Sequence, residues 1–418
     1  MPGNKNFITS ETTQTWLAQF DPQSQIKMTK MLEAMRLVSR DQFSESIRTR
    51  ILQISEKVDG RVGLYVEREI PPKKQPPIPL FQQVSTRPRR AFGQGPAPIS
   101  PDEDKPADVG SEGIVAQLVS ELCREFPNKF VNHPGPDALR KQKKPINTLL
   151  LVTDLIGSGE RAERYLDAFW AVYSVKSWWS GRRSNGLSFG IVGYAATPVG
   201  MKRVQAHCLS PNVCIVTECP TIDNAFDKEQ ASEIKQICIK YDSSSSNVES
   251  LGFQQTGALI AFAHGVPNNA PRILYNYSGS WTPLFARRKT SATRENFDHR
   301  LEQEDVQRLL VRMRHKRLSD GQDWSRAQKG TLETYLVLAA LSRPPRNIEV
   351  VARRTGLTLL EVESVLIKAK KNDWVDKRNR LTDQGQAYLC AAKSKKRSSQ
   401  LIESHAQLYY PSTLRVSV

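Results

Sequence analysis

Leu149-Leu150-Leu151-Val152-Thr153-Asp154-Leu155-Ile156-Gly157-Ser158-Gly159-Glu160-Arg161 is the stretch whose reading decides the fold. Four consecutive apolar residues suit a strand covered on both faces of a parallel sheet. Gly157 and Gly159 allow a tight turn and close approach to a ligand. A helix then starts, expected from Arg161 to about Tyr173. Asp154 falls at the carboxyl end of the strand, outside which open α/β sheets bind their ligands. The amides beginning the helix favour an anion. An acid beside a phosphate cradle suggests a sugar phosphate, with the carboxylate on ribose hydroxyls and the amides on the 5′-phosphate. A plainer alternative makes Asp154 only a cap for the following helix. The spacing matches neither the P-loop nor Gly-x-Gly-x-x-Gly.

Outward from this stretch, strand and helix alternate. Strands are expected at 61–70, 148–153, 187–194, 212–217 and 257–264, and a helix from Gly110-Ser111-Glu112-Gly113 through Phe126, with Ser111 as a plausible N-cap. That order predicts an α/β class with a mainly parallel sheet. Residues 12–57 are helical in pattern, with Met28, Met31, Leu32, Met35 and Leu37 as one apolar stripe and Phe43, Ile47, Ile51 and Ile54 as another. Residues 71–108 hold ten of the 25 prolines, with Lys73 and Lys74, and predict an extended or flexible insertion. Ser243–Ser246 reads as a loop.

The formal net charge is +17, which points to a polyanionic partner, and it is uneven. Residues 286–418 hold 27 Lys/Arg against 15 Asp/Glu. The six cysteines form no C-x-x-C pair, and no His falls at a zinc-finger offset, so no metal site is expected from them. They suit buried thiols in a reducing compartment. No signal-peptide core or membrane-length apolar run occurs, and the expectation is a soluble cytoplasmic protein with no membrane partner.

From about residue 331 the pattern changes. One helix ends at Pro344-Pro345; a second starts after Asn347 and stops at Gly356; a third, capped by Thr358, includes Leu360, Val362, Val365 and Ile367 among its buried set. Two short strands flank Lys377-Arg378-Asn379, and a last helix follows Thr382-Asp383. Helix, Gly turn, helix and small hairpin is the winged-helix order. Lys368, Lys370, Lys371, Lys377, Arg378 and Arg380 suit phosphate contacts. Glu361 and Glu363 would repel a duplex backbone if they faced it. Lys393, Lys395, Lys396 and Arg397 form a basic tail.

The Asp154 loop resembles the phosphoribosyl-diphosphate loop of type I phosphoribosyltransferases, an apolar strand, two acids and a Ser/Thr/Gly-rich turn. Asp154 stands at the second acid, and Thr153 replaces the first. Downstream, Pro267-Asn268-Asn269-Ala270-Pro271 resembles the Pro-Asn-Asn-x-x-Pro stretch of phosphoribosyltransferase-like proteins of bacterial conflict systems. Residues 331–391 resemble bacterial winged-helix domains, most specifically from Val351 to Leu389. The resemblance implies a catalytic role for Asp154 and ligand contacts from Thr153, Gly157, Ser158, Gly159, Glu160, Arg161, Ser111, Gly113, Pro267, Asn268 and Asn269. Mg2+ accompanying a phosphoribosyl ligand is the cofactor it allows. Lys202 and Arg203 could also meet phosphate charge, and His264 reads equally as a satisfied structural histidine. Trp178-Trp179 with Arg182-Arg183 reads first as packing.

The expected organisation is an N-terminal helical segment 1–60, a phosphoribosyltransferase-like domain 61–285 carrying the insertion 71–108, a basic linker or helix 286–330, a winged helix 331–391 and a basic tail 392–418. Such a pairing implies the toxic effector of a retron anti-phage system. Its partners would be the retron DNA–RNA, a reverse transcriptase and a nucleotide or sugar-phosphate ligand. The alternative is a DNA-binding transcription regulator that senses nucleotides or phosphoribosyl diphosphate. That arrangement usually carries its winged helix first, the reverse of this chain.

Overall fold

The computed structural model describes residues 5–70, 77–97, 111–140, 145–185, 187–242, 249–277, 279–297, 303–321, 324 and 329–394. Gly110, Lys73, Lys74, Ser243–Ser246 and the basic run Lys395, Lys396 and Arg397 lie outside them. The chain divides into two units, one containing Met1–Arg300 and one containing most of Leu301–Val418.

The first unit is built on a five-stranded sheet, ordered β3-β2-β4-β5-β6, in which every pair is parallel. Its strands are β2 (Arg61–Val66), β3 (Phe130–Asn132), β4 (Ile146–Ile156), β5 (Ser188–Ala196) and β6 (Asn212–Glu218). β4 is central and buried through Leu149–Ile156, as its apolar run requires. Successive side chains of β4 point to opposite faces. Leu150 and Val152 join one core with α4 (Arg40–Glu56) and α5 (Ser111–Glu125), through Phe43, Ile47, Ile51, Val115 and Val119. Leu149 and Leu151 join the other with α7 (Glu160–Trp170) and α8 (Tyr173–Ser180), through Ala162, Tyr165, Phe169 and Val175. Trp178 and Trp179 pack against that second core. The Arg182 guanidinium stacks 4.1 Å from the Trp179 ring.

The N-terminal residues are not a separate helical segment. α1 (Lys5–Thr9), α2 (Glu11–Leu17) and α3 (Pro22–Ala34) share a core with α12 (Lys228–Tyr241) and with residues 251–297. The long helical stripe is broken after Met35, where Arg36–Val38 is a strand, β1, pairing in parallel with β7 (Ile260–Phe262). Leu37 is therefore a strand residue. Met35 already has extended φ/ψ, and the Ser39 side chain accepts from the Gln42 amide to start α4, a capping interaction that overrides the apolar periodicity. The expected strand 61–70 ends at Val66, and the expected strand 257–264 shortens to β7.

Within the Pro-rich insertion, most of residues 77–97 are exposed, but the segment is anchored to the core at two points. Phe81 and Ala91 are buried, and Gln83 and Ala91 form an antiparallel bridge. The remaining helices of this unit are α6 (Pro136–Leu139), α9 (Arg182–Asn185), α10 (Pro198–Gln205) and α11 (Ile222–Ala225).

The expected linker 286–330 is divided between the two units. Two 3-10 turns, Ala286–Arg288 and Ser291–Phe297, belong to the first unit, whereas α13 (Gln303–Arg312) and α14 (Lys316–Gly321) open the second. There follow α15 (Lys329–Leu341), α16 (Ile348–Thr355), α17 (Leu359–Lys371) and α18 (Asp383–Ser394). Gly356 ends α16 with φ +73°, a left-handed C-terminal cap. Val375 and Leu381 form the antiparallel bridge of the wing. Tyr388 of α18 stacks on both Trp374 and Tyr335. Ile367 is 66% exposed and does not belong to the buried set of α17, which includes Val362, Val365, Leu366 and Ala369. The true stripe follows helical spacing from Val362, and Ile367 falls outside it.

Candidate functional site

The sheet topology places the crevice. From β2 the chain goes to one neighbour, β3, and then returns to β4 on the other side of β2. The carboxyl ends of β2 and β4 therefore flank a switch point, where α/β sheets open to ligands. Glu67 follows β2, and its amide donates to Val152 O at 2.9 Å, continuing the β2–β4 ladder. Register thus brings Glu67 beside Thr153 and Asp154. The Thr153 hydroxyl donates to Glu67 Oε2 at 2.6 Å. A carboxylate from the end of the neighbouring strand β2 thus stands beside Thr153, the position where the motif has its first acid. Sequence reading missed Glu67, because nothing local marks it; only the β2–β4 register does.

Arg161, in the first turn of α7, ties the acids together. It lies 2.8 Å from Glu67 and 3.6 Å from both Asp154 and Glu112. Glu67 and Asp154 are 3% and 8% exposed as residues. The Glu67 charge holds the Arg161 guanidinium well above its ordinary range, against the effect of burial. Burial alone would raise the Asp154 carboxyl, but the His264 imidazole, the Arg161 charge and the Ser111 hydroxyl outweigh it and keep Asp154 ionised far below the usual carboxylate range. Leu155 N also donates to Asp154 Oδ1 at 2.8 Å. Burial raises the Glu112 carboxyl, partly offset by Arg161. Ser111 and Glu112 reach this place because α5 begins here; Gly113 is half-buried in the same turn.

His264 is not a satisfied core histidine. Its side chain is 6% exposed, its ring stacks on Phe262 with Phe43 at its edge, and neither ring nitrogen has a hydrogen-bond partner among the described residues. Nε2 lies 3.6 Å from Asp154 Oδ2, close enough for electrostatic coupling rather than a full hydrogen bond. An Asp–His pair with spare imidazole valence can orient a polar ligand and carry a proton.

The turn after β4 is braced from two sides. Thr197, the N-cap of α10, donates to Gly157 O at 2.6 Å and accepts from Gly200 N at 3.0 Å. A Cβ on Gly157 would lie 2.1 Å from Asn269 Oδ1, so Asn269 packs directly on this glycine. Asn269 Nδ2 donates to Thr256 Oγ1 at 3.0 Å, which gives this side chain an internal bracing contact. Asn268 is exposed, with its carbonyl accepting from Phe253 N at 2.8 Å, and Pro267 is half-buried beside it. Gly159 is the N-cap of α7 with φ +78°. Ser158 is buried, and its Oγ lies 3.4 Å from Glu160 N. Glu160 pairs with Arg164 and Gln254, while Arg203 bridges to Glu163 at 2.6 Å. Lys202 is exposed.

The acids fit a protein-held Mg2+ poorly. The position among Glu67, Glu112 and Asp154 is taken by the Arg161 guanidinium. Among the described residues no group of three His, Cys, Asp or Glu is disposed to hold a metal ion.

The second unit offers a different surface. Ser364, Ile367, Lys368 and Lys371 form an exposed stripe of α17, with Lys370 exposed beside it. Lys377, Arg378 and Arg380 are exposed on the wing. The wing turn is closed by Asp376, whose Oδ1 accepts from the amides of Arg378 and Arg380 at 2.8 and 2.7 Å. Glu361 is engaged in a capping box, accepting from Thr358 N at 2.9 Å and donating its own amide to Thr358 Oγ1 at 3.1 Å.

A parallel α/β unit with an acid–glycine–helix crevice, joined to a winged helix, defines the class. Comparison with family models carries it further: residues 13–287 match PRTase-CE, and residues 335–416 match the model described as wHTH-PRTase associated. The chain belongs to the PRTase-CE family, a phosphoribosyltransferase-like protein with a C-terminal winged helix. No curated protein and no solved structure matches it. Among the described residues no helix is long and apolar enough to cross a membrane.

Proposed function

We propose that the crevice between β2 and β4 binds a phosphoribosyl compound or nucleotide, and that the chain is the toxic effector of a retron anti-phage system. The observation that carries the ligand reading is Asp154. It is a buried, ionised carboxylate near the end of β4, coupled to Arg161 and His264, three residues before the first glycine of the turn that opens a helix. Asp154 receives the ribose hydroxyls, and the orphan amides at the start of α7 receive the phosphate. Arg161 fixes the Asp154 and Glu67 carboxylates in place. His264 has an unused ring nitrogen to offer the ligand. Acting on nucleotides or on a ribosyl-containing target, such a domain needs restraint until infection. In this reading the winged helix provides it by binding the DNA–RNA of the retron with its reverse transcriptase. The excess positive charge of residues 286–418 suits a nucleic-acid partner for the winged helix.

Two measurements test the reading. Phosphoribosyl diphosphate, ribose 5-phosphate or a nucleotide should raise the melting temperature of the wild type and not of Asp154→Asn; a flat wild-type response removes the ligand reading. Purification from cells followed by nuclease treatment should recover a small defined single-stranded DNA with a reverse transcriptase. Recovery of one genomic duplex site without a transcriptase would instead establish a regulator.

A further inference from the structure

The second unit contains a basic feature distinct from the α17 and wing cations. A cavity of about 350 Å3 lies among the end of α13, the end of α15 and the body of α16. Arg312, Arg314, Arg343, Arg353 and Arg354 line it, and no carboxylate does. Met313, Pro344 and Val350 supply apolar wall. The volume falls in the range of small-ligand sites.

Of the five guanidinium groups around this hollow, one has an internal role. Arg354 donates to the carbonyls of Ala340, Arg343, Pro344 and Pro345 at 2.8–3.2 Å, covering the C-terminal end of α15, a position where cations suit the helix dipole. Arg354 is the half-buried member. Arg312, Arg314, Arg343 and Arg353 are exposed around the same space. Guanidinium presents a planar fork of donors that matches phosphate oxygens, and it is weakly hydrated enough to act in a concave site. Apolar wall beside such a fork suits the base or sugar of the same ligand.

We propose that this cavity is a nucleotide-phosphate site, in which Arg312, Arg314 and Arg343 hold a phosphate and the Met313–Pro344–Val350 wall holds the attached nucleoside. The same chemistry is presented by a free nucleotide and by the phosphorylated end of a strand. The site depends neither on the retron reading nor on the Asp154 crevice.

The test uses the full chain carrying Asp154→Asn, so that the first unit's proposed ligand site is disabled, and compares it with the same chain carrying Arg314→Gln and Arg343→Gln in addition. Both arginines are exposed and leave the Arg354 cap in place. Binding of ATP, adenosine, and a single strand with a 5′-phosphate or a 5′-hydroxyl is measured by titration, with the melting curve as a check on folding. The expected result is that at least one phosphorylated probe binds better than its unphosphorylated counterpart, and that the double arginine change weakens it about tenfold or more, equivalent to about 1.4 kcal/mol. Preference for ATP assigns the site to free nucleotides; preference for the 5′-phosphorylated strand assigns it to a strand end. Equal affinity for phosphorylated and unphosphorylated probes, or unchanged binding in the double variant, overturns the proposal. Replacing Lys368, Lys377 and Arg378 with Ala provides the contrast. If only that triple variant loses the strand, the helix–wing surface binds nucleic acid and the cavity does not.

Discussion

The two units use charge in opposite ways. At the sheet's carboxyl edge, one guanidinium is enclosed by three carboxylates, and Glu67 and Asp154 are almost wholly buried. On α17 and the wing, six cations face solvent, and the nearby acids Glu361 and Asp376 hydrogen-bond to backbone amides. Buried, paired charge fixes the geometry of a small site, because a group taken out of water must keep its partner to offset the lost hydration. Exposed cations cost little to keep and attract a polyanion without defining its sequence. The difference separates a polar crevice whose charges are fixed against one another from a basic surface open to solvent.

The comparison can be broken most directly at Arg161. Arg161→Met strands Glu67, whose side chain is 2% exposed, without a counter-charge. The expected loss is about 3 kcal/mol, the low end of the range for breaking a buried pair, since the guanidinium itself is 39% exposed. Urea unfolding measures it, and a change below about 0.5 kcal/mol would mean that the network is not tightly held.

A second difference concerns pH. His133 closes β3, with Nε2 accepting from Val66 N at 2.9 Å, and burial pushes its imidazole down to about 4. The unfolded chain takes up this proton near pH 6.5, whereas the folded chain does so only near 4. The contribution is therefore complete above about pH 6.5 and is lost as pH falls towards 4. Its ceiling is about 3 kcal/mol. Denaturation midpoints across that window should fall in the wild type and fall less in His133→Gln; equal slopes would remove His133 as the cause.

The turn gives a smaller effect. Gly159→Ala places a side chain at φ +78° and 2.8 Å from Gly200 O. A loss of about 1–2 kcal/mol is expected, together with weaker ligand-induced stabilisation. Unchanged melting with and without ligand would show that the turn relaxes freely.

The smallest effect belongs to the exposed surface. Lys377→Ala should leave the denaturation midpoint within about 0.5 kcal/mol of wild type while lowering the salt slope of nucleic-acid binding by about 1. Destabilisation with an unchanged slope would place Lys377 among the structural residues.

How far the chain could be read in advance follows from the range of the interactions. The wing and the Gly356 turn were legible, because a left-handed cap and a short hairpin are local. Ile367 was misplaced, since neighbouring apolar residues on one helix can face opposite ways. The strand Arg36–Val38 was hidden inside a helical stripe; its partner is β7, more than two hundred residues away.

The sequence by itself determined β4, its glycine turn and the helix after it, with Asp154 at the junction. An apolar run, the backbone freedom of glycine and a helix start act over a few residues and need no distant partner. Only the tertiary structure decided what Asp154 works with. Glu67 stands beside Thr153 because β2 and β4 pair in parallel in one register. His264 stands beside Asp154 in the folded first unit, just beyond the β7 strand that pairs with β1. Such neighbours are set by strand order and packing between segments far apart in the chain, which carry no mark of one another in their local sequence.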